Sequence, residues 1–216
     1  MTASNREQLE HDARWQDEGY SAEHAGYTPH FLAFMRRWTQ IDGGNQAALD
    51  VGCGDGFFSR EMCARGYRVT GLDLSDVALA RARQQGGGTF LAHDTSQRFP
   101  FSDQTFALVW CSEHLEHLFS PLSTLEEIRR VLRPGGKFLA TVPYHGLVKN
   151  VGIALFAFDR HYDPTYPHIR FFTKNTLGAL ATRAGLDVIS TTTCGSGFGL
   201  RDMVVPTNIL LCATRR

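Results

Sequence analysis

The stretch Ala48-Leu49-Asp50-Val51-Gly52-Cys53-Gly54-Asp55-Gly56 runs a short apolar segment straight into three glycines at alternating positions. The apolar segment reads as a β-strand, and Phe57 to Arg65 reads as a helix closed by Gly66. Glycines spaced this way leave no Cβ between the turn and a ligand, so backbone can approach whatever binds there. The unit then repeats. Tyr67 to Leu72 is a second strand, followed by a helix from Asp76 to Gln85 that ends at Gly86-Gly87-Gly88. Thr89 to Ala92 and Phe106 to Cys111 are a third and a fourth strand. Pro121 to Leu132 is helical, with Arg133-Pro134-Gly135-Gly136 as its stop and turn, and Lys137 to Val142 is a fifth strand.

Strands alternating with helices of about ten residues predict an α/β protein with a parallel, doubly wound sheet. After a break at Pro143 to Pro167, a helix from Lys174 to Ala184 stops at Gly185. Two strand-like runs follow, Leu186 to Thr193 and Met203 to Thr214, joined through Gly195-Ser196-Gly197-Phe198-Gly199. So short a glycine-rich link predicts an antiparallel last pair in a seven-stranded, otherwise mostly parallel sheet. Residues 1–40 read as a helical cap, with Ser4 and Glu7 as a capping box and aromatics at Trp15, Tyr20, Tyr27, Phe31, Phe34 and Trp38. The 216 residues are expected to form one domain, with an insertion over 144–172 after strand five.

Charge excludes some partners. Lys+Arg and Asp+Glu both total 22, so the net formal charge is zero and no bulk field draws in nucleic acid or an anionic membrane. The five cysteines are odd in number and contain no CxxC pair, against a disulfide framework or structural zinc. The longest apolar stretch, Leu147 to Phe158, is interrupted by Lys149 and Asn150 and is shorter than the ~20 residues a spanning helix needs. It also lacks a Lys/Arg-rich polar face, so no stable membrane insertion is expected. With a polar, acid-bearing stretch from Met1 to Trp15, the expected location is cytoplasmic.

In open α/β sheets, ligands bind at the carboxyl ends of strands near the reversal of strand order. The dinucleotide fingerprint G-x-G-x-x-G fails here, because Phe57 stands at its sixth position. Asp50 and Asp55 flank the loop; they would repel a pyrophosphate and favour an ammonium or sulfonium. Asp73 ends the second strand, 21 residues after Gly52, where a carboxylate can accept hydrogen bonds from ribose hydroxyls. A ribose-bearing ligand with a cationic arm describes S-adenosyl-L-methionine.

At these residues the chain resembles the class I S-adenosylmethionine-dependent methyltransferases, and most closely the broad group that includes the ubiquinone and menaquinone biosynthesis methyltransferases. The likeness rests on Leu49 to Gly56, Val69-Thr70-Gly71-Leu72-Asp73-Leu74-Ser75, Phe99 to Val109, Glu113-His114-Leu115-Glu116-His117 and Glu127 to Gly136, and extends loosely to His168-Ile169-Arg170-Phe171-Phe172-Thr173. It implies a Rossmann-like fold in which Gly52, Gly54 and Gly56 border the methionine and ribose of the cofactor. It also implies that Asp73 binds the ribose hydroxyls, Leu74 packs on the adenine, and Asp94 with Thr95 contacts the adenine amino group. Cys111 and Ser112 would meet the methionine end through their backbone. Asp50 joins this cofactor set through its charge.

Methyl transfer from a sulfonium is an in-line displacement on an activated donor, so positioning is the main task, worth ~7–11 kcal/mol in well-oriented systems. A base matters for a hydroxyl or a protonated nitrogen acceptor. His145, after the fifth strand, and His114, after the fourth, are the expected general-base candidates. The aromatic insertion reads as a substrate lid, with Tyr144, Arg160, His161 and His168 on the acceptor side and Tyr20 closing from the N-terminal side. Two groupings carry metal-type side chains: Glu113, His114, Glu116 and His117, and Asp159, His161, Asp163 and His168. Neither matches a spacing such as H-E-x-x-H, and no metal is expected. The expected activity is methylation of a small acceptor that is apolar or aromatic in part, with oxygen ahead of nitrogen and carbon. A non-catalytic S-adenosylmethionine-binding sensor or partner subunit is the alternative.

Overall fold

A computed structural model describes residues 12–13, 15–16, 21, 23, 25–39, 43–162, 168–195 and 206–216. Seven strands form one sheet in the order β3-β2-β1-β4-β5-β7-β6. They are β1 (Ala47–Val51), β2 (Arg68–Asp73), β3 (Thr89–Ala92), β4 (Phe106–Ser112), β5 (Leu132–Pro143), β6 (Asp187–Cys194) and β7 (Asn208–Thr214). The first five pair in parallel, and β7 runs antiparallel between β5 and β6, the arrangement expected from the sequence. Because β1 lies between β2 and β4, the strand order reverses there, and the carboxyl ends of β1 and β4 form the switch point at which open α/β sheets bind ligands.

Side chains along the central strands alternate between two buried faces. Leu49, Val51, Val109 and Cys111 join one core, with Leu125 and Ile128 of helix α4 (Pro121–Val131) and Leu177 and Ala181 of α7 (Lys174–Arg183). Ala48, Leu108 and Trp110 join the other, with Phe31, Phe34 and Met35 of α1 (Thr28–Trp38) and Phe58 and Met62 of α2 (Phe57–Cys63). Burial on both faces explains why these strands read as continuous apolar runs. Trp110 anchors the second face, its ring centred 5.0 Å from Phe58 and 6.3 Å from Phe34.

Helix ends follow their caps. Ser75 caps α3 (Asp76–Gln85) by accepting from the Ala78 N–H, and Thr173 and Thr176 form a reciprocal capping box at the start of α7. Ser4 and Glu7, Tyr20 and the link from Ser196 to Gly199 lie outside the described residues, as does the start of the run from Met203.

One boundary differs from expectation. The Arg133 to Gly136 turn is instead the irregular first part of β5, with a register shift between the Phe106 and Leu108 pairings. The cause is distant in sequence. Arg215 accepts from the Gly135 N–H at 2.7 Å, donates its own N–H to the Gly136 carbonyl at 3.1 Å, and its guanidinium donates to the Leu132 and Arg130 carbonyls. Among its described residues the insertion holds two helices, α5 (Leu147–Phe156) and α6 (Phe158–His161). No helix among the described residues is long and apolar enough to cross a membrane.

Candidate active site

The loop after β1 is folded back by its own backbone: Gly52 and Cys53 both donate to the Leu72 carbonyl, at 2.8 and 3.0 Å. Gly52, Gly54 and Gly56 adopt φ of +73°, +52° and +76°, the left-handed region that glycine enters without strain. Close approach matters as much as φ at two of them. A Cβ on residue 52 would lie 2.5 Å from Nδ1 of His114, and one on residue 54 would lie 2.5 Å from Cζ2 of Trp15. The loop is thus walled by an imidazole on one side and an indole on the other.

Asp73, at the carboxyl end of β2, accepts from the Gly54 N–H at 2.9 Å and from the Ser75 N–H at 2.9 Å. Its carboxylate therefore ties the glycine loop to the cap of α3. Leu74 follows it, half-buried. Asp50 is buried and accepts from Ser59 Oγ at 2.6 Å. Burial pushes its carboxyl up to about 7, and the charges of Asp73 and Asp55 add to that push against the Ser59 hydrogen bond. Three carboxylates gathered at one loop fit a ligand with ammonium and sulfonium charges, and a glycine cradle with no Cβ fits its close approach. The residues present thus match S-adenosylmethionine chemistry.

Asp94 accepts from both the backbone N–H and the hydroxyl of Ser96, at 2.9 and 2.6 Å. Burial works to raise it, yet these bonds hold its carboxyl below the ordinary range. Thr95 is buried, and its Oγ1 lies 2.7 Å from Nε2 of His114. His114 therefore bridges the glycine loop and the Asp94-Thr95 loop. The Cys111 side chain is fully buried in the core, where burial raises its thiol well above the ordinary value, so only its backbone faces the loops. Ser112 Oγ lies 2.8 Å from Thr141 Oγ1.

The acceptor-side residues gather less completely. Tyr144 packs over Gly146, and its carbonyl accepts from Lys149 Nζ at 2.8 Å. His145 is 5% exposed, and its ring centroid is 4.7 Å from that of Phe171 and 5.4 Å from that of His161. Burial, then the charge of Lys149, lowers His145 to about 4. An imidazole that holds a proton so weakly is a poor acceptor of one near neutral pH, which counts against the general-base role expected of it. Burial likewise lowers His161. Tyr20 and the Arg160 side chain lie outside the described residues.

His168 packs beside His117, their ring centroids 4.8 Å apart. Nε2 of His168 and of His117 each lie 3.9 Å from Oε1 of the fully buried Glu116, and the Ile169 and Arg170 N–H groups donate to the Glu116 carbonyl. One donor atom from each of Glu116, His117 and His168 falls within 4.8 Å of the others, a grouping drawn from both clusters that the sequence separated. The sequence reading passed over Thr141, Lys149 and Asn208, which surround Glu113. Their signals were a lysine breaking an apolar run and an asparagine opening an apolar strand.

The methyltransferase domain family matches residues 49–140. The chain is 29% identical over 185 residues to the ubiquinone biosynthesis O-methyltransferase of Hydrogenovibrio crunogenus, covering 80% of this chain and 74% of that one. It is 32% identical over 166 residues to the protein of the same name from Nitrosospira multiformis, covering 73% and 68%. Among solved structures, the S-adenosylmethionine-dependent methyltransferase from Mesorhizobium loti superposes with a TM-score of 0.71 at 21% identity, covering 90% of this chain and 100% of that one.

Proposed function

This chain belongs to the class I S-adenosylmethionine-dependent methyltransferases, and from that premise we propose that it methylates a hydroxyl of a small acceptor that is apolar or aromatic in part. When bound, S-adenosylmethionine supplies a methyl group already activated on a sulfonium. The protein's own work is to hold the two partners in line and dry.

We assign the cofactor side to Asp50, Gly52, Gly54, Gly56, Asp73, Leu74, Asp94, Thr95 and the backbone of Cys111 and Ser112. The observation that carries this assignment is the Gly54–Asp73 hydrogen bond at the switch point beside the Asp50, Asp55 and Asp73 carboxylates. Asp73 positions the ribose, the carboxylates attract the cationic end, and His114 closes the loop against Thr95. The acceptor enters beneath the insertion. None of the α5 residues is buried, and Leu147, Leu155 and Phe156 are 80%, 68% and 87% exposed. An apolar face of that size favours an acceptor with an apolar portion. The relatives' designation as O-methyltransferases favours oxygen as the methylated atom.

Incubation with methyl-labelled S-adenosylmethionine and a panel of alkylphenols, alkylanilines and alkanols tests the proposal. Label in the phenols, rising with tail length, is the expected result. Label confined to the anilines would contradict it, and tight cofactor binding with no transfer to any member would favour the sensor reading.

A further inference from the structure

We infer that Trp15 is a cofactor-contact residue, latched over the glycine loop by Asp12 and Ser21, and that it retains the bound adenosyl ligand. This rests on the cofactor-side assignment above. Three side chains from the N-terminal part of the chain reach the switch point. Asp12 accepts from Ser75 Oγ at 2.5 Å and from the Val77 N–H at 3.3 Å. The Trp15 indole lies against Gly54, so close that a Cβ there would stand 2.5 Å from Cζ2. Ser21 Oγ donates to Asp55 Oδ2 at 2.6 Å.

The places they touch are those that shape the loop. Ser75 caps α3 and donates its N–H to Asp73 Oδ1, so Asp12 lands two residues beyond the carboxylate assigned to the ribose. A carboxylate at a helix N-terminus is favoured by the unpaired N–H groups and the dipole there. Asp55 Oδ1 accepts from the Phe57 N–H at 3.1 Å at the start of α2, and its other oxygen takes Ser21. The two latches thus fasten to the starts of both helices that follow β1 and β2, and the indole sits between them on Gly54. Gly54 is also the residue whose N–H is held by Asp73, so a ligand on that pair meets the indole. Asp12, Trp15 and Ser21 are each half-buried. Latches made of a few partly solvated hydrogen bonds open at little cost, and the elements that open for a ligand are drawn from the weakly held parts of a structure. The indole supplies the opposite property once shut, a large apolar area against the ligand.

Tryptophan emission and surface plasmon resonance test this with S-adenosylhomocysteine as the probe. Of the three tryptophans, Trp110 is fully buried between Phe34 and Phe58 and Trp38 ends α1, which leaves Trp15 to report on the loop. The ligand should change the wild-type emission, and Trp15→Phe should lose that change while still binding and keeping the wild-type melting temperature. Trp15→Ala should release the ligand about 10-fold faster or more, with the association rate moving less than about 3-fold. Asp12→Ala with Ser21→Ala should speed release in the same direction, and Ser21→Thr should restore part of it. An emission change of wild-type size in Trp15→Phe, or wild-type release from Trp15→Ala, would overturn the assignment. Faster association and tighter binding in Trp15→Ala would overturn it as well, by making the indole a plug of the empty site. Asp73→Ala separates this inference from the reading beneath it. Affinity lowered by Asp73→Ala and untouched by Trp15→Ala would remove the latch alone, whereas affinity untouched by either would remove the cofactor from this loop.

Discussion

The backbone N–H of Gly54 donates to Oδ2 of Asp73 at 2.9 Å, which makes the end of the second strand a support for the loop after the first. Losing Asp73 therefore removes a brace together with the ribose contact proposed for it. Asp73→Ala should weaken S-adenosylmethionine binding by ~1–3 kcal/mol, the scale of a hydrogen bond to a charged group, as read by calorimetry. Affinity equal to wild type in a folded variant would take Asp73 out of the site.

Gly52→Ala meets two obstacles at once. Its φ is +73°, and the new methyl would lie 2.5 Å from the His114 ring. The substitution should abolish measurable cofactor binding and lower the melting temperature. The double variant with His114→Ala should regain part of the lost stability, because the contact is relieved while the φ strain remains. Equal melting temperatures for the single and double variants would show that the His114 contact contributes nothing.

Asp50 links binding to pH. Its native value of about 7 lies above its ordinary 3.8, so the unliganded fold holds a proton that the unfolded chain releases. That contribution to stability is present below about pH 4 and is lost as pH rises toward 7. A cationic ligand favours the ionised form, so S-adenosylmethionine affinity should climb between pH 6 and 8 with release of a proton. Titrations in buffers of different ionisation enthalpy count that proton, and Asp50→Asn should abolish its release.

The exposed side chains of the insertion should matter to the acceptor alone. Leu155→Ser and Phe156→Ser change well-exposed positions, so stability should move by less than about 0.5 kcal/mol. KM for a long-tailed phenol should rise several-fold, with S-adenosylhomocysteine affinity unaltered. An unchanged KM would place the acceptor elsewhere.

The strands and the glycine loop were legible because local pattern sets them: apolar runs buried on both faces, glycines where φ is positive, and a carboxylate one strand later. The β5 start was not, because Arg215, about eighty residues on, decides whether Arg133 to Gly136 turns or pairs. The acceptor side was harder still. His145 looked basic from its residue type, but burial and Lys149 lower it to about 4, while burial raises Glu113 to about 7 against the pull of Thr141 and Asn208 on two other strands. Residue type announces a titratable group; only packing sets where it titrates.

The most direct test of the account is calorimetric titration of the purified protein with S-adenosylmethionine and S-adenosylhomocysteine, with NADH as control. The account predicts saturable, one-to-one binding of both adenosyl ligands and none of NADH. Saturable NADH binding without adenosyl binding would contradict it.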